Sequence, residues 1–412
     1  MPFKAIIRTL AALLLCGLVA TTAAAQIAEG GLTRAQAYAR AAALAELGRR
    51  LFSEPLLSAS GRMSCQTCHD PAHAFGPPNA LDVQLGGKDM RQPGFRAVPS
   101  LKYLQSVPQF TAHYYDSDDE GDASIDNGPT GGLTWDGRVD RHRDQALVPL
   151  LSPFEMANAS ASELAARVRG SAYAEDLRKL FGDSVLEDAQ NTARAIGSAL
   201  AVYQQDAAAF YPYSSKYDAY LAGRVKLSEQ EAHGLALFNA ADKGNCASCH
   251  LSERAKDGTA PQFTDYGLIA IGVPRNRKLA ANADPKFYDL GACGPLREDL
   301  AGLAEYCGLF RTPSLRNVAL RQTFYHNGTE HDLRQAVVFY IERDTRPEKW
   351  YLRGADGRVL KFDDLPAQYH DNINMEPPFG GHPGDAPALS PVEIDDIVAF
   401  LKTLTDGYRP PP

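Results

Sequence analysis

Two pentapeptides constrain this chain more than any other feature of its sequence. They are Cys65-Gln66-Thr67-Cys68-His69 and Cys246-Ala247-Ser248-Cys249-His250, and each has the C-x-x-C-H pattern of c-type haem attachment. Two thiols on one turn can bond the two vinyl groups of a haem, and the next imidazole binds the iron. A C-x-x-C pair alone also suits a redox dithiol or half of a zinc site, but the adjoining histidines and the repetition favour haem. The sequence therefore predicts two c-type haems, with His69 and His250 as axial iron ligands.

The N-terminus indicates export. Lys4 and Arg8 precede an apolar run from Leu10 to Ala20, and Ala23-Ala24-Ala25 provides a small-residue cleavage site. The apolar run is too short to favour a membrane anchor. We therefore expect a cleaved signal peptide over residues 1–25 and a periplasmic protein.

The acidic charge balance limits the classes of partner. The formal net charge is −8 and no basic stripe is visible, which argues against nucleic acid and against an anionic membrane surface as partners. A small basic electron-carrier protein would be attracted to such a chain. The alternative is that the charge only keeps the protein soluble. The sequence does not indicate the oligomeric state.

Two cysteines remain outside the signal peptide and the haem motifs. They are Cys293 and Cys307, each next to a glycine. In an oxidising compartment they are expected to form a disulfide across a short loop, contributing about 3 kcal/mol in the chain-entropy model.

Helix start signals are frequent, whereas strand-like alternation is rare. Four Ser or Thr residues are followed three positions later by Glu or Gln, as in a capping box. These four are Thr33, Ser160, Ser228 and Ser390. Residues 187–209 also have the pattern of a helix. The predicted fold class is all-α with long loops.

The chain contains an internal repeat. A predicted helix precedes each haem motif, and both helices carry the pattern Gly-x-x-Leu-Phe. The two copies are Gly48-x-x-Leu51-Phe52 and Gly234-x-x-Leu237-Phe238. Because a helix leading into C-x-x-C-H begins a cytochrome-c-like domain, we predict two such domains, residues 26–212 and 213–412.

The stretch between the haem motifs carries a family resemblance. The sequence Trp135-Asp136-Gly137-Arg138, followed at set distances by Gln145, Pro149 and Glu155, resembles the bacterial di-haem cytochrome c peroxidase and MauG family. Two further segments support the resemblance, which covers nearly the whole mature chain. They are Cys68-His69-Asp70-Pro71 and Thr312-Pro313-Ser314-Leu315-Arg316-Asn317. The resemblance implies an enzyme that reduces hydrogen peroxide with electrons from a small donor protein, a c-type cytochrome or a cupredoxin.

The resemblance also implies roles for four side chains. Gln145, Pro149 and Glu155 would line the distal pocket of the first haem, and Trp135 would lie between the haems and mediate electron transfer. Cleavage of peroxide needs a proton moved from one oxygen to the other, which a carboxyl group can do. Glu155 is the candidate acid–base residue. Gln145 would hold peroxide or water, while Pro149 would shape the pocket without a competing donor.

The sixth iron ligands differ between the two predicted haems. Peroxidases of this family carry an additional histidine after the first haem motif, but residues 76–104 contain none. His73 is too close to His69 to reach the opposite face, and His113 lies in an insertion. We therefore predict an open first haem. For the second haem the resemblance points to Tyr340, which follows Ala336-Val337.

Two further features each allow an alternative interpretation. Met375 is the rival to Tyr340 as the ligand of the second iron. A calcium ion between the domains is implied by the resemblance, but its asparagine position is Ala97 and its carbonyl segment is Arg321-Gln322-Thr323, so these residues support calcium poorly. The acidic segment 116–122 partly mimics a calcium loop and lacks the glutamate expected at the twelfth position.

Two other functions compete with the peroxidase. A MauG-like enzyme would use the same haems to oxidise residues of a protein partner. A non-enzymatic di-haem electron carrier would need no acid–base pocket, so the spacing of Gln145, Pro149 and Glu155 argues against it.

Overall fold

The computed structural model describes residues 31–115 and 125–410. The predicted signal peptide, residues 1–25, and the acidic segment 116–122 lie outside these ranges. The chain divides into two compact units, the first ending at Leu44 and the second comprising Ala45–Pro412. Within the described ranges, no helix is both long enough and apolar enough to cross a membrane.

Most of the regular structure is helical. The α-helices of the described ranges are α1 (Arg34–Phe52), α2 (Cys65–Cys68), α3 (His142–Gln145), α4 (Leu147–Leu151), α5 (Ala161–Arg169), α6 (Tyr173–Phe181), α7 (Ala189–Tyr203), α8 (Ala207–Phe210), α9 (Lys216–Leu221), α10 (Glu229–Asn239), α11 (Leu333–Glu342) and α12 (Pro391–Lys402). Short 3₁₀ turns are Pro55–Leu57, Pro71–His73, Asp183–Leu186, Cys246–Ser248, Ala280–Ala283, Ala304–Tyr306, Val318–Leu320, Pro347–Lys349 and Ala367–Asn372. Long irregular segments connect these elements, as predicted.

Two small sheets correct the all-α prediction. Strands β1 (Leu85–Gly86) and β2 (Gln92–Pro93) form one antiparallel pair, and β3 (Leu268–Ile269) and β4 (Phe310–Arg311) form the other. Leu85 pairs with Pro93, while Leu268 pairs with Arg311. Each strand has two residues, too few for an alternating pattern to show in the sequence.

The predicted helix starts are confirmed. Ser228 and Ser390 cap α10 and α12 with complete capping boxes. Ser160 accepts a hydrogen bond from the Glu163 amide, but the Glu163 carboxylate turns to the Ala159 amide instead. In each case a side-chain oxygen satisfies an amide that the first helical turn leaves unpaired.

The single helix predicted over residues 187–209 is wrong in one respect. The chain leaves the helical path after Tyr203, and α8 begins as a separate helix at Ala207. Asp206 causes the restart, because its carboxylate accepts the Ala208 amide and caps a new helix.

The glycines of the internal repeat lie at two helix crossings. Gly48 of α1 lies against the backbone of Ala199 in α7, and Gly234 of α10 lies against the backbone of Asp396 in α12. A methyl group at either glycine would overlap the facing carbonyl oxygen. Each helix that leads into a haem motif is therefore crossed by a second helix at a point where no side chain fits.

Aromatic rings repeat in the same way around the crossings. One set is Phe52, Phe75 and Tyr203, and the other is Phe238, Phe263 and Phe400. In the first set the ring of the leading helix lies 5.8 and 5.5 Å from its two partners. In the second set these distances are 6.3 and 5.2 Å. The repeated packing supports two similar halves, while the boundaries 26–212 and 213–412 stay a prediction.

The predicted disulfide is confirmed. Cys293 and Cys307 are bonded and both side chains are buried. They close a loop that packs against Leu268 of β3 and Ile373.

Candidate haem sites

The two predicted iron ligands are held in the same way. The Nδ1 atom of His69 lies 2.9 Å from the carbonyl oxygen of Phe75, and the Nδ1 atom of His250 lies 2.9 Å from that of Phe263. A carbonyl can only accept, so each Nδ1 carries the proton and each Nε2 is left to coordinate iron. Burial lowers the pKa of both imidazoles to about 4. The neutral form, which binds metal, is therefore favoured at both sites.

Both carbonyls come from residues in an unusual backbone conformation. Phe75 has φ of 53° and Phe263 has φ of 54°, in the left-handed region that costs residues other than glycine on the order of 1–3 kcal/mol. Sequence analysis missed both residues, because Phe75 follows His69 by 6 positions and Phe263 follows His250 by 13, so no common spacing marks them. The shared conformation shows that the fold imposes one local shape on both histidine anchors.

The four thiols of the haem motifs are free. Burial raises the pKa of Cys65, Cys68 and Cys246 to about 12, and it also raises the pKa of Cys249. The thiols therefore lie in apolar surroundings beside an imidazole with a free nitrogen. This donor set fits a covalently attached haem at each motif.

A cavity of about 250 Å³ adjoins the second motif. Cys246, Cys249 and His250 form part of its wall, and much of the rest is apolar. The apolar lining includes Phe238, Ile271, Val273, Val318, Phe324, Val337 and Leu401. Thiols and an imidazole on the wall of an apolar cavity are what a buried haem requires.

Tyr340 lines this cavity together with His250. Its ring stacks on Phe379 with the centroids 5.3 Å apart, and no residue in the described ranges hydrogen-bonds its hydroxyl. Burial, followed by the charges of Cys249 and Cys246, raises the pKa of Tyr340. The hydroxyl is thus close to the thiols and has no competing partner in the described ranges.

The rival ligand Met375 lies elsewhere. Its side chain is 46% exposed and is not part of the cavity wall. Its sulfur lies 3.2 Å from the Nη2 atom of Arg343, which donates to it. The structure therefore brings Tyr340, and not Met375, together with His250.

Two further buried side chains in the cavity could hold the carboxylates of a haem. Arg311 donates from Nε to the Thr134 carbonyl, and burial lowers its pKa to about 10, so the guanidinium remains charged at neutral pH. His326 stacks on Phe310 with the ring centroids 3.6 Å apart. In the described ranges its Nε2 atom has no hydrogen bond, and the nearest carboxylate oxygen, of Asp364, is 3.7 Å away.

Trp135 also lines the cavity, and a buried ion-pair network holds the residue next to it. Its Nε1 donates to the Ala97 carbonyl at 2.7 Å. The next residue, Asp136, is fully buried and pairs with Arg96 at 2.6 Å and Arg138 at 2.8 Å. Burial opposes ionisation of Asp136, but the two guanidinium groups prevail and lower its pKa to about 2. The Asp-Gly-Arg part of the motif thus holds the turn that presents the indole.

Gln145, Pro149 and Glu155 lie on a segment of two short helices and the turn that follows them. Gln145 ends α3, Pro149 is in α4, and the Met156 amide donates to the Pro149 carbonyl at 3.0 Å. The Glu155 amide donates to the Ser152 carbonyl at 3.1 Å. All three predicted side chains are partly buried, and the short hydrogen bonds bring the Glu155 backbone back towards Pro149.

The Glu155 carboxyl is the predicted acid–base group of the first haem site. Burial raises its pKa, although Ser152 and Arg138 oppose this shift. Its negative charge contributes to the raised pKa of Cys65 and Cys68. The Ala59 amide donates to the carbonyl of the next residue, Met156, at 2.8 Å, so this backbone contacts the segment that leads into the first motif. The acid–base role of Glu155 stays a prediction.

The glycines of β1 and its turn support Glu155, and sequence analysis missed them. The Gly87 amide donates to the Glu155 carbonyl at 2.8 Å. A side chain at Gly86 would overlap the backbone of Phe154 and Glu155. The backbone of Glu155 thus packs against β1 and its turn at positions where only glycine fits.

Comparison with known proteins identifies the family. A profile described as di-haem cytochrome c peroxidase matches residues 42–226. The methylamine utilization protein MauG of Paracoccus denitrificans is 35% identical over 377 residues, covering 89% of this chain and 90% of MauG. This chain belongs to the di-haem cytochrome c peroxidase and MauG family.

Other members of the family match over a similar length. Cytochrome c551 peroxidase of Nitrosomonas europaea is 27% identical over 89% of this chain and 81% of its own length. The crystal structure of the diheme peroxidase BthA from Burkholderia thailandensis is 41% identical, with a TM-score of 0.77 and coverage of 88% and 86%. A tyrosine-to-methionine variant of BthA superposes with a TM-score of 0.79. The chain is therefore an oxidoreductase of this di-haem family, with two c-type haems.

The histidines considered as sixth ligands of the first haem are engaged by carboxylates. His73 lies 2.8 Å from Asp70 Oδ2, and the exposed His113 lies 2.6 Å from Asp126 Oδ2. Sequence analysis did not weigh His142, which shares a face of α3 with Gln145 and has a pKa lowered by burial. The open first haem stays a prediction for this member of the family.

Proposed function

We propose that this protein is a periplasmic di-haem peroxidase that reduces hydrogen peroxide to water at the His69 site. The observation that supports this proposal is the partly buried Glu155 carboxyl, whose pKa is raised by burial and whose charge contributes to the raised pKa of Cys65 and Cys68. A haem attached there supplies the redox chemistry when bound. An electron carrier has no use for a buried acid–base group at this position.

Glu155, Gln145 and Pro149 would each have a separate role. The Glu155 carboxylate takes a proton from one oxygen of hydrogen peroxide and returns it to the departing oxygen, which leaves as water. A raised pKa brings this carboxyl closer to neutral pH, where proton transfer in both directions is efficient. The Gln145 amide orients the peroxide, and the Pro149 ring fills space without offering a hydrogen bond.

The electrons would come from a small donor protein. Reduction of one peroxide to two waters consumes two electrons and two protons, so a one-electron donor must act twice. A small c-type cytochrome or cupredoxin with a basic surface suits the net charge of −8. Trp135 lines the cavity that also holds His250, and we propose that it mediates transfer towards the first site.

Replacement of Glu155 tests the acid–base role. Glu155→Gln keeps the shape of the side chain but cannot accept the proton, so we expect the rate of reaction with peroxide to fall about 100-fold or more. The measurement is stopped-flow absorbance of the haem-loaded protein with peroxide, together with steady-state turnover. Glu175→Gln, at an exposed glutamate of α6, is the matched control. An unchanged rate in Glu155→Gln at full haem content would refute the proposal.

A MauG-like activity is the second candidate. It is favoured by Tyr340, which lines the cavity of the second motif, and by the 35% identity to MauG. Such an enzyme would direct the oxidising power of peroxide to residues of a protein partner. Peroxide consumption that needs a small electron donor supports the peroxidase. Peroxide-dependent oxidation of a co-purifying protein, detected by mass spectrometry without a donor, would support the MauG-like role instead.

A further inference from the structure

The guanidinium of Arg321 joins two backbone segments that are far apart in sequence. Its Nη2 donates to the Val98 carbonyl at 3.0 Å, and its Nε donates to the Thr323 carbonyl at 3.2 Å. These segments contain Ala97 and residues 321–323, the positions that the family resemblance assigns to a calcium ion. The structure thus brings the two segments together, with a side-chain cation between their carbonyl oxygens.

No carboxylate pairs with Arg321 within 4.0 Å in the described ranges. Burial lowers the pKa of Arg321 to about 10, so the group still carries its charge at neutral pH. Backbone carbonyl oxygens therefore complement this charge, as they do for calcium in proteins. These residues consequently do not fit a calcium ion, because a guanidinium already binds the Val98 and Thr323 carbonyls and Ala97 offers no side-chain oxygen.

The same charge lies close to the first haem ligand. The Nη1 atom of Arg321 is 3.8 Å from the position that a Cβ atom of Gly76 would take. Gly76 directly follows Phe75, whose carbonyl anchors the His69 imidazole.

The segment held by Arg321 also holds Trp135. The Ala97 carbonyl accepts from the Trp135 indole at 2.7 Å, while the Ala97 amide donates to the His326 carbonyl at 2.7 Å. Val98, the acceptor of Arg321, is the next residue. One short stretch of backbone therefore links the cation, the indole and a residue of the cavity wall.

We propose that the Arg321 guanidinium replaces a bound calcium ion at this junction and that its fixed charge raises the reduction potential of the haem at His69. A positive charge near the iron stabilises the less positive reduced state, and the weakly polar surroundings strengthen the effect. The proposal deepens the proposed function, since the first site must be poised to react with peroxide. Arg321 acts through the His69 surroundings and is a positioning residue.

Reduction potentials test the electrostatic part of the proposal. Spectroelectrochemistry of the haem-loaded protein is compared with Arg321→Gln, Arg321→Lys and the control Arg334→Gln, whose parent side chain pairs with Asp395 at the surface. A Cys65→Ala/Cys68→Ala variant identifies the signal of the second haem. We expect the potential of the first haem to fall in Arg321→Gln, to fall less in Arg321→Lys, and to stay unchanged in Arg334→Gln. Equal potentials in the wild type and Arg321→Gln would overturn the proposal.

Calcium removal tests whether Arg321 takes the place of a calcium ion, and it needs no variant. The wild-type protein is dialysed against a calcium chelator and then titrated with Ca²⁺. The melting temperature and the electron paramagnetic resonance spectrum of the ferric haems are recorded at each step. We expect neither to change. A melting temperature that falls with the chelator and recovers with Ca²⁺ would overturn the proposal, even where Arg321→Gln fails to fold.

The two proposals can fail separately. Potentials and melting temperatures do not depend on turnover, so they assess Arg321 whether or not the protein consumes peroxide. If the potentials are as expected but the protein does not turn over peroxide, only the proposed function is refuted. If the protein turns over peroxide but Arg321→Gln leaves the reduction potentials unaltered, only the inference about Arg321 is refuted.

Discussion

Individual residues show how strongly environment decides chemical role. Glu155 and Tyr340 are ordinary residue types, and each becomes a candidate through what surrounds it. Glu155 lies near the thiols of the first motif, and Tyr340 lies in the cavity of the second. A phenolate is a hard anionic donor that stabilises higher oxidation states of iron, whereas a thioether raises the reduction potential. The identity of the second iron's sixth ligand therefore sets which chemistry the protein performs.

A pair of substitutions distinguishes the two ligand candidates. Tyr340→Phe removes the hydroxyl and keeps the ring stacked on Phe379, so we expect the low-spin spectrum of the His250 haem to be lost or shifted. Met375→Leu removes the sulfur at a largely exposed position and should leave that spectrum as it is. Absorption and electron paramagnetic resonance of the ferric proteins provide the measurement. The opposite pattern would assign the ligand to Met375.

At the scale of elements, the same helix packing occurs next to both haem motifs. The helix before each haem motif crosses another helix at a glycine, and an aromatic set fills the space beside the crossing. The phenylalanine carbonyl that anchors the histidine belongs to the same set in both halves. Helix crossing, aromatic packing and ligand orientation are therefore one unit, and it occurs twice.

The crossing glycine should be sensitive to a single methyl group. Gly48→Ala gains about 1 kcal/mol of helix propensity but forces a methyl group into the Ala199 carbonyl, which typically costs about 1–3 kcal/mol or more. We expect a net loss in the free energy of unfolding, measured by denaturant titration of the haem-loaded protein. Gly170→Ala, where a methyl group would meet open space, is the control. Equal stability of the two variants would show that the helices can separate without cost.

The chain combines an acidic charge balance with buried cations near the cavity. Its net charge is −8, while Arg96, Arg311 and Arg321 lie near the cavity and Trp135. Excess negative charge attracts a basic donor over a distance, whereas the buried guanidinium groups act locally. We therefore propose different roles for the two charge distributions, the encounter with a partner for the first and the tuning of the haems for the second.

Ionic strength tests the predicted donor class. With a basic c-type cytochrome as donor, we expect kcat/KM for peroxide reduction to fall about tenfold or more as salt screens the attraction. An acidic cytochrome should show the opposite slope or none. Steady-state rates over a salt series give the measurement. A salt-independent rate with the basic donor would remove the argument from net charge.

Local chemistry explains what could be predicted without a structure. The disulfide and the capped helix starts depend on a small number of cysteines or on neighbouring residues, so local sequence patterns were enough to predict them. The haem ligands rest on the same kind of local pattern and stay a prediction. The restart of the chain at Asp206 and the two-residue strands were missed because they depend on a single cap and on distant backbone pairing. The domain boundaries and the open first haem still await a test.

The sequence by itself determined the covalent chemistry of this protein, because attachment of a haem requires two thiols and an imidazole within five consecutive residues. It also determined the family, through spacings along one stretch of chain. Only the tertiary structure decided that the Glu155 carboxyl is buried, that Tyr340 and not Met375 lines the cavity next to the second motif, and that Arg321 bridges the carbonyls of Val98 and Thr323. These relations join residues far apart along the chain, and only packing sets their distances.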